Sequence, residues 1–219
     1  MKHGEKNWGK IDVLLILIAL VPIAAFLLVY NQLPDSMAVH FGFDNKPNGF
    51  QSKPSALILF SLLGLGVPIL LKYTRKIDPK QENYWKFKRA FEAIRLGVTV
   101  LLSCVFGLVL MFNLGYPLDI KFFTLMLVGL LFMIMGNYLV QIRYNFFFGI
   151  RTPWTLASEE VWRRTHRMAG PLYMAAGAFF ILCGFVASTW FIYIFIAGIV
   201  LACAFPVCYS YLIYKKTTR

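Results

Sequence analysis

Six apolar runs, each about one membrane thickness long, constrain this chain more than any other feature. They cover residues 11–30, 55–73, 96–114, 122–140, 170–187 and 189–214. A hydrocarbon core of ~30 Å is crossed by about 20 helical residues at 1.5 Å each. Within lipid a lone segment satisfies its own backbone only as a helix. Composition agrees: of 219 residues 59% are apolar and only 15% charged, too few charges to clothe a soluble surface. The first run exceeds a signal-peptide core and no small-residue cleavage site follows it, so it reads as a retained helix. The expected fold is an all-α membrane protein: a six-transmembrane-helix bundle with a small extracytoplasmic cap loop and a cytoplasmic amphipathic interfacial helix.

Charge sets the expected orientation. The net charge is +12, and 19 of the 22 Lys and Arg residues lie before the first run, around the second-to-third and fourth-to-fifth connections, or after the last run. The opposite connections hold only Lys46, Lys53 and Lys121. Short Lys/Arg-rich loops stay in the cytoplasm, so both termini are expected there. This distribution faces anionic lipid of the bilayer, and direct nucleic-acid binding is not needed to explain it. The layout expected is residues 1–30 as N-terminal tail and first helix, 31–54 as the extracytoplasmic cap, and 55–140 as helices two to four with a basic cytoplasmic loop at 74–95. Residues 141–169 then form a cytoplasmic segment, and 170–219 supply helices five and six with a cytoplasmic C-terminus. The links at 115–121 and at Ser188 are short enough to make helices three and four, and five and six, antiparallel neighbours.

The spans offer little chemistry. No Asp, Glu, Lys, Arg or His occupies the middle of a run, which disfavours an ion-coupled transporter. Pro22, Pro68 and Pro206 read as kinks. Cys104, Cys183, Cys203 and Cys208 lie in spans without CxxC spacing and read as small packing residues. No cofactor is expected and no metal site: His40 with Asp44 is a weak pair, better read as structural.

Two polar stretches remain. In the outer loop Leu33-Pro34-Asp35 opens a turn, residues 37–43 are β-prone, and residues 44–49 supply Asn, Pro and Gly for a reversal, so a small cap with a short hairpin is expected. An external ligand would meet it first. In the inner stretch, Pro153 stiffens the chain and pushes Thr152 out of helix. A helix then starts near Thr155 or Ser158, either of which can cap it. Glu159 and Glu160 fall in its first turn, each four residues before Arg163 or Arg164. Val161, Trp162, Thr165, Met168 and Ala169 share one face, while Arg163, Arg164 and Arg167 line much of the rest as lipid-facing basic residues. Trp154 and Trp162 suit the headgroup level. Anchoring explains this helix but not the specific run Arg151-Thr152-Pro153-Trp154, which is expected to hold a turn or present it to a partner. His166 has no nucleophile paired with it in sequence, so catalysis is not expected.

At these residues the chain resembles the SdpI family of bacterial multi-pass membrane proteins. Residues 136–170, GNYLVQIRYNFFFGIRTPWTLASEEVWRRTHRMAG, match its hallmark: a GN, an Asn, then G-[IL]-RTPWTL, then VW and a basic helix. Residues 33–55, LPDSMAVHFGFDNKPNGFQSKPS, resemble the outer-loop domain found with it. The resemblance implies a place in the bacterial plasma membrane and immunity or resistance to a secreted membrane-active peptide toxin. It also implies a receptor that sequesters a transcriptional repressor at the membrane. The residues it marks for the cytoplasmic motif and partner docking are Asn137, Asn145, Gly149, Arg151, Thr152, Pro153, Trp154, Thr155, Leu156, Trp162 and His166. Those it marks for extracytoplasmic recognition are Leu33, Pro34, His40, Phe41, Pro47, Ser52 and Lys53. A small-molecule or lipid transporter is the alternative, ahead of a membrane-embedded enzyme.

Overall fold

A computed structural model describes residues 8–186 and 190–218. Among them seven α-helices follow in order: α1 (Lys10–Leu28), α2 (Lys53–Ile77), α3 (Lys88–Asn113), α4 (Ile120–Leu139), α5 (Pro153–Ala157), α6 (Glu159–Gly184) and α7 (Phe191–Thr217). Strands β1 (Ser36–Phe41) and β2 (Pro47–Ser52) lie between α1 and α2. All the helices but α5 are long and apolar enough to cross a membrane. The all-α, six-span architecture with a small hairpin is thus the one found. Ser188 of the expected link lies outside the described residues, as do three of the 19 basic residues counted for orientation, Lys2, Lys6 and Arg219.

Two details differ from expectation. The stretch 74–95 is mostly helical: a 3₁₀ segment at Gln81–Phe87 leads directly into α3. Tyr84, Phe87, Phe91 and Ile94 recur every three or four residues and are all buried, which is why helix persists through a lysine-rich sequence. Arg95, expected in a loop, is only 4% exposed within α3. Second, the amphipathic segment is not a separate helix but the opening turns of α6, which runs unbroken through Pro171. The proline forfeits one bond, to the carbonyl four residues back. A buried stripe of Trp162, Thr165, Ala169, Gly170, Gly177 and Phe180 continues on both sides of it and holds the helix together.

The chain forms two compact units, residues 1–71 with 98–120, and residues 72–97 with 121–219. The division falls inside α2 and α3. In the first unit Phe26, Phe60 and Phe106 make a ring ladder. Phe26 meets Phe60 edge-on at 5.9 Å, and Phe60 stacks on Phe106 at 4.5 Å. Leu33 and Met37 bring the hairpin onto this core. The strands pair antiparallel from Ser36–Ser52 to Phe41–Pro47, with irregular register on either side of His40. The turn closes through Gly42 N–H to Lys46 O, with Asn45 at φ +63°. On the other edge of β1 the Asn113 amide acts as one rung of a strand: it accepts from Ala38 N–H and donates to Ala38 O, both at 2.9 Å.

The second unit is held by a glycine seam. Gly129 faces Gly177, and Gly136 faces Gly170, so α4 and α6 run antiparallel with contact every seven residues. A Cβ on Gly129 would come within 2.6 Å of the Gly177 carbonyl, and one on Gly136 within 2.6 Å of the Gly170 carbonyl. Without a hydrophobic drive inside lipid, such close backbone approach is what packs helices. Leu125, Phe180, Cys183 and Phe195 complete the core against α7. Gly177→Leu should therefore lower the melting temperature of the purified protein by several degrees or abolish folding, since overpacking costs about 1–3 kcal/mol even where neighbours can yield. Gly107→Ala, at a site with no atom within 4 Å, should leave it unchanged or raise it; equal loss in both variants would contradict the seam.

Candidate functional site

After Leu139 the chain leaves the helix and does not resume one until Pro153. Thirteen residues of irregular backbone need hydrogen-bond partners. Side chains supply them. Asn145, fully buried, is the hub: its Oδ1 accepts from Phe147 N–H (3.0 Å) and Phe148 N–H (2.6 Å), and its Nδ2 donates to the Arg143 and Phe148 carbonyls. Tyr84 donates its hydroxyl to Asp78 Oδ2 at 2.9 Å and also lies 3.3 Å from Asn145 Oδ1. Asp78, 2% exposed, also accepts from Phe146 N–H and Lys80 N–H. Three donors on one buried carboxylate offset its loss of water. Asn83 adds a bond to the Tyr144 carbonyl.

The RTPWTL stretch is built the same way. Thr152 is the N-cap of α5, with Pro153 at its first position, where a missing N–H costs nothing. Thr152 Oγ1 accepts from Thr155 N–H, and Thr155 Oγ1 accepts from Thr152 N–H while donating to the Ile150 carbonyl. The cap is anchored to α7: Thr152 Oγ1 lies 3.0 Å from Ser210 Oγ, and the Trp154 and Tyr211 rings are 5.1 Å apart. Arg151 is exposed at its head, but Nη1 donates to the Phe146 carbonyl at 2.9 Å.

Two residues of α6 reach back to the same loop. Trp162 Nε1 donates to the Ile142 carbonyl. His166 Nδ1 lies 2.8 Å from the Trp162 carbonyl, and its Nε2 lies 3.0 Å from Ile150 N–H. A carbonyl needs a donor and an N–H needs an acceptor, so the ring is neutral with its proton on Nδ1. The two rings stack at 4.1 Å. Gly149 passes directly over them at φ +105°, and a Cβ there would run into His166 Nε2, so only glycine fits.

Of the residues marked by the motif, Asn145, Gly149, Arg151, Thr152, Thr155, Trp162 and His166 thus converge on one loop, and Tyr144 closes it from its hydroxyl to the Leu156 carbonyl. Asn145, Thr152, Thr155, Trp162 and His166 are buried, so the surface open to a partner is made by others: Arg151 and Pro153, with Trp154 and Leu156 half-buried. Trp162 is only 2% exposed, because its N–H is used inside the protein. Asn137 is exposed on α4 and does not join the network. Arg163, Arg164 and Arg167 are exposed as expected, with Arg164 paired to Glu160. In the hairpin Pro34, His40 and Ser52 are exposed, Phe41, Pro47 and Lys53 half-buried, and Leu33 buried. His40 bonds Asn48 across the turn, and Lys53 pairs with Asp35. Sequence reading missed Asp78, Asn83, Tyr84 and Ser210. Only Asp78 carried a signal, the turn-opening Asp-Pro pair.

Asn145→Ala would strand two N–H and two carbonyl groups, each worth about 1–3 kcal/mol when buried unpaired. It should lower the melting temperature markedly and open residues 141–157 to protease. Asn145→Asp should do as much damage, because it keeps the acceptor, loses both donors and sets a second carboxylate beside Tyr84. Wild-type melting in both variants would contradict the hub.

The SdpI/YfhL protein family matches residues 141–210, which begin with this loop, and a domain family of unknown function, DUF1648, matches residues 17–65, which include the hairpin. The immunity protein SdpI of Bacillus subtilis (strain 168) is 27% identical over 207 residues, covering 94% of this chain and 97% of that protein. No solved structure matches. The chain is thus similar to the SdpI/YfhL protein family over its loop and the helices that follow, and over nearly all its length to a protein that bears the family's name.

Proposed function

We propose that this protein protects a bacterial cell against a secreted membrane-active peptide, without enzymatic turnover. The observation that carries the reading is the end-to-end match to a protein named for immunity. The site supports it. The hub amide, the threonine hydroxyls and both His166 nitrogens are bound to the protein's own backbone, so their chemistry holds a shape instead of turning over a substrate. The hairpin is the surface that meets the peptide, with Phe43 and Phe50 as its large exposed apolar groups. Arg151 and Pro153, with half-buried Trp154 and Leu156, are the surface on which a transcriptional repressor is held at the membrane.

A sensitive strain expressing the chain should survive a killing peptide, either that of the Bacillus subtilis relative's strain or one encoded beside the chain's own gene. Phe50→Asp should reduce survival at matched membrane levels. Loss of protection in no variant, or no protection at all by inserted protein, would contradict the reading.

Orientation follows from the Lys/Arg distribution. Single cysteines at Asn48 should label from outside intact cells, and those at Gln81 or Ser158 should not. External labelling at Ser158 would overturn an arrangement with both termini cytoplasmic.

A further inference from the structure

A cleft of about 150 Å³ opens beside the loop, and nothing above accounts for it. Val140, Ile142, Tyr144, Trp162 and His166 form its walls, and its rim is charged: Arg143, Glu159, Glu160 and Arg163. Its depth along the protein is set by the helices. It lies just after α4 ends at Leu139 and along the first turns of α6. There both helices change from apolar to polar sequence, which is the level of lipid headgroups.

The rim charges do not cancel among themselves. Glu160 is taken by Arg164, which lies outside the cleft lining. Among the described residues Arg143 and Arg163 have no ion pair, and neither has Glu159. Two guanidinium groups and one carboxylate therefore face a cleft walled by Tyr144 and Trp162 rings. Arginine's planar fork fits phosphate oxygens, which two such groups can share. The remaining carboxylate suits a primary ammonium, which donates hydrogen bonds to it. A single group carrying both a phosphodiester anion and an ammonium meets all three charges.

We propose that this cleft is a binding site for a phospholipid headgroup of the phosphoethanolamine class, with its phosphodiester held by Arg143 and Arg163 and its ammonium by Glu159. This goes beyond diffuse attraction of basic residues to an anionic surface, because it selects a zwitterion. It does not depend on the protective role: a chain that failed every survival assay would still retain the lipid.

The test uses the full-length protein in nanodiscs of equimolar phosphatidylethanolamine, phosphatidylcholine and phosphatidylglycerol, with retained lipid read by native mass spectrometry after transfer to detergent. Phosphatidylethanolamine should be retained several-fold over the other two. The double variant R143Q/R163Q should lose retention of all three. Glu159→Gln should keep phospholipid but lose the preference for ethanolamine over choline, since choline's quaternary ammonium has no N–H to donate. Arg167→Gln, outside the cleft lining, should behave as wild type. Soluble glycerophosphoethanolamine should compete, which separates headgroup recognition from acyl-chain adhesion. Equal retention of the three lipids by wild type, undiminished retention in R143Q/R163Q, or an unchanged preference in Glu159→Gln would each overturn the site. If the double variant fails to fold, the Glu159→Gln preference decides alone.

Discussion

Backbone that leaves a helix near a membrane must still have its polar groups paired, and between Ile142 and Leu156 side chains do the pairing. Six N–H groups in this stretch, those of Phe146, Phe147, Phe148, Ile150, Thr152 and Thr155, donate to side-chain acceptors. The carbonyls of Ile142, Arg143, Tyr144, Phe146, Phe148, Ile150 and Leu156 accept from side-chain donors. A single such bond is worth about 1 kcal/mol net, but leaving a buried group unpaired costs more. The loop is therefore specified by its polar side chains, much as a helix is specified by its ladder. This explains why so polar a stretch sits between two apolar runs: its Asn, Arg, Thr, Trp and His residues replace secondary structure.

The helices make that pairing reachable. Trp162 and His166 bond to a loop that follows α4, although both stand on α6. They reach it because the Gly136–Gly170 contact brings the two helices together just before α4 ends. One helix turn before Gly170, the stacked Trp162 and His166 rings pack under the side-chainless Gly149. Added volume at the seam and lost hydrogen bonds at Asn145 would thus be felt in the same place.

Much of this was legible in the sequence. Hydropathy alone gave the six spans, because lipid admits so few backbone solutions. The hairpin was announced by β-prone residues 37–43 ahead of the reversal signals at 44–49, and Thr152-Pro153 by the rule that proline expels its predecessor from helix. Other features were hidden for physical reasons. The helix through residues 81–95 was masked by lysines on its exposed side, and only the spacing of Tyr84, Phe87, Phe91 and Ile94 betrays it. Pro171 concealed the continuity of α6, because the packing that tolerates it is tertiary. Asp78 and Asn145 lie 67 positions apart in sequence, so no local pattern announces that Tyr84 joins them. Burial also reassigned Trp162 and His166, since a motif shows residue types but not which atoms are already bonded.

A rigid, self-paired loop beside membrane-length helices is a platform, and the function proposed here needs a platform more than a reactive group. The exposed residues around it, Arg151 and Pro153 on one stretch and Arg143, Glu159 and Arg163 at the cleft, are what it presents. The most direct measurement is amide hydrogen exchange across residues 141–157 in the folded protein within lipid nanodiscs. The amides of Phe147, Phe148, Ile150 and Thr155 should exchange orders of magnitude more slowly than that of Asp44, exposed in the hairpin turn. Exchange of these four amides as fast as at Asp44 would contradict a loop held by its own side chains.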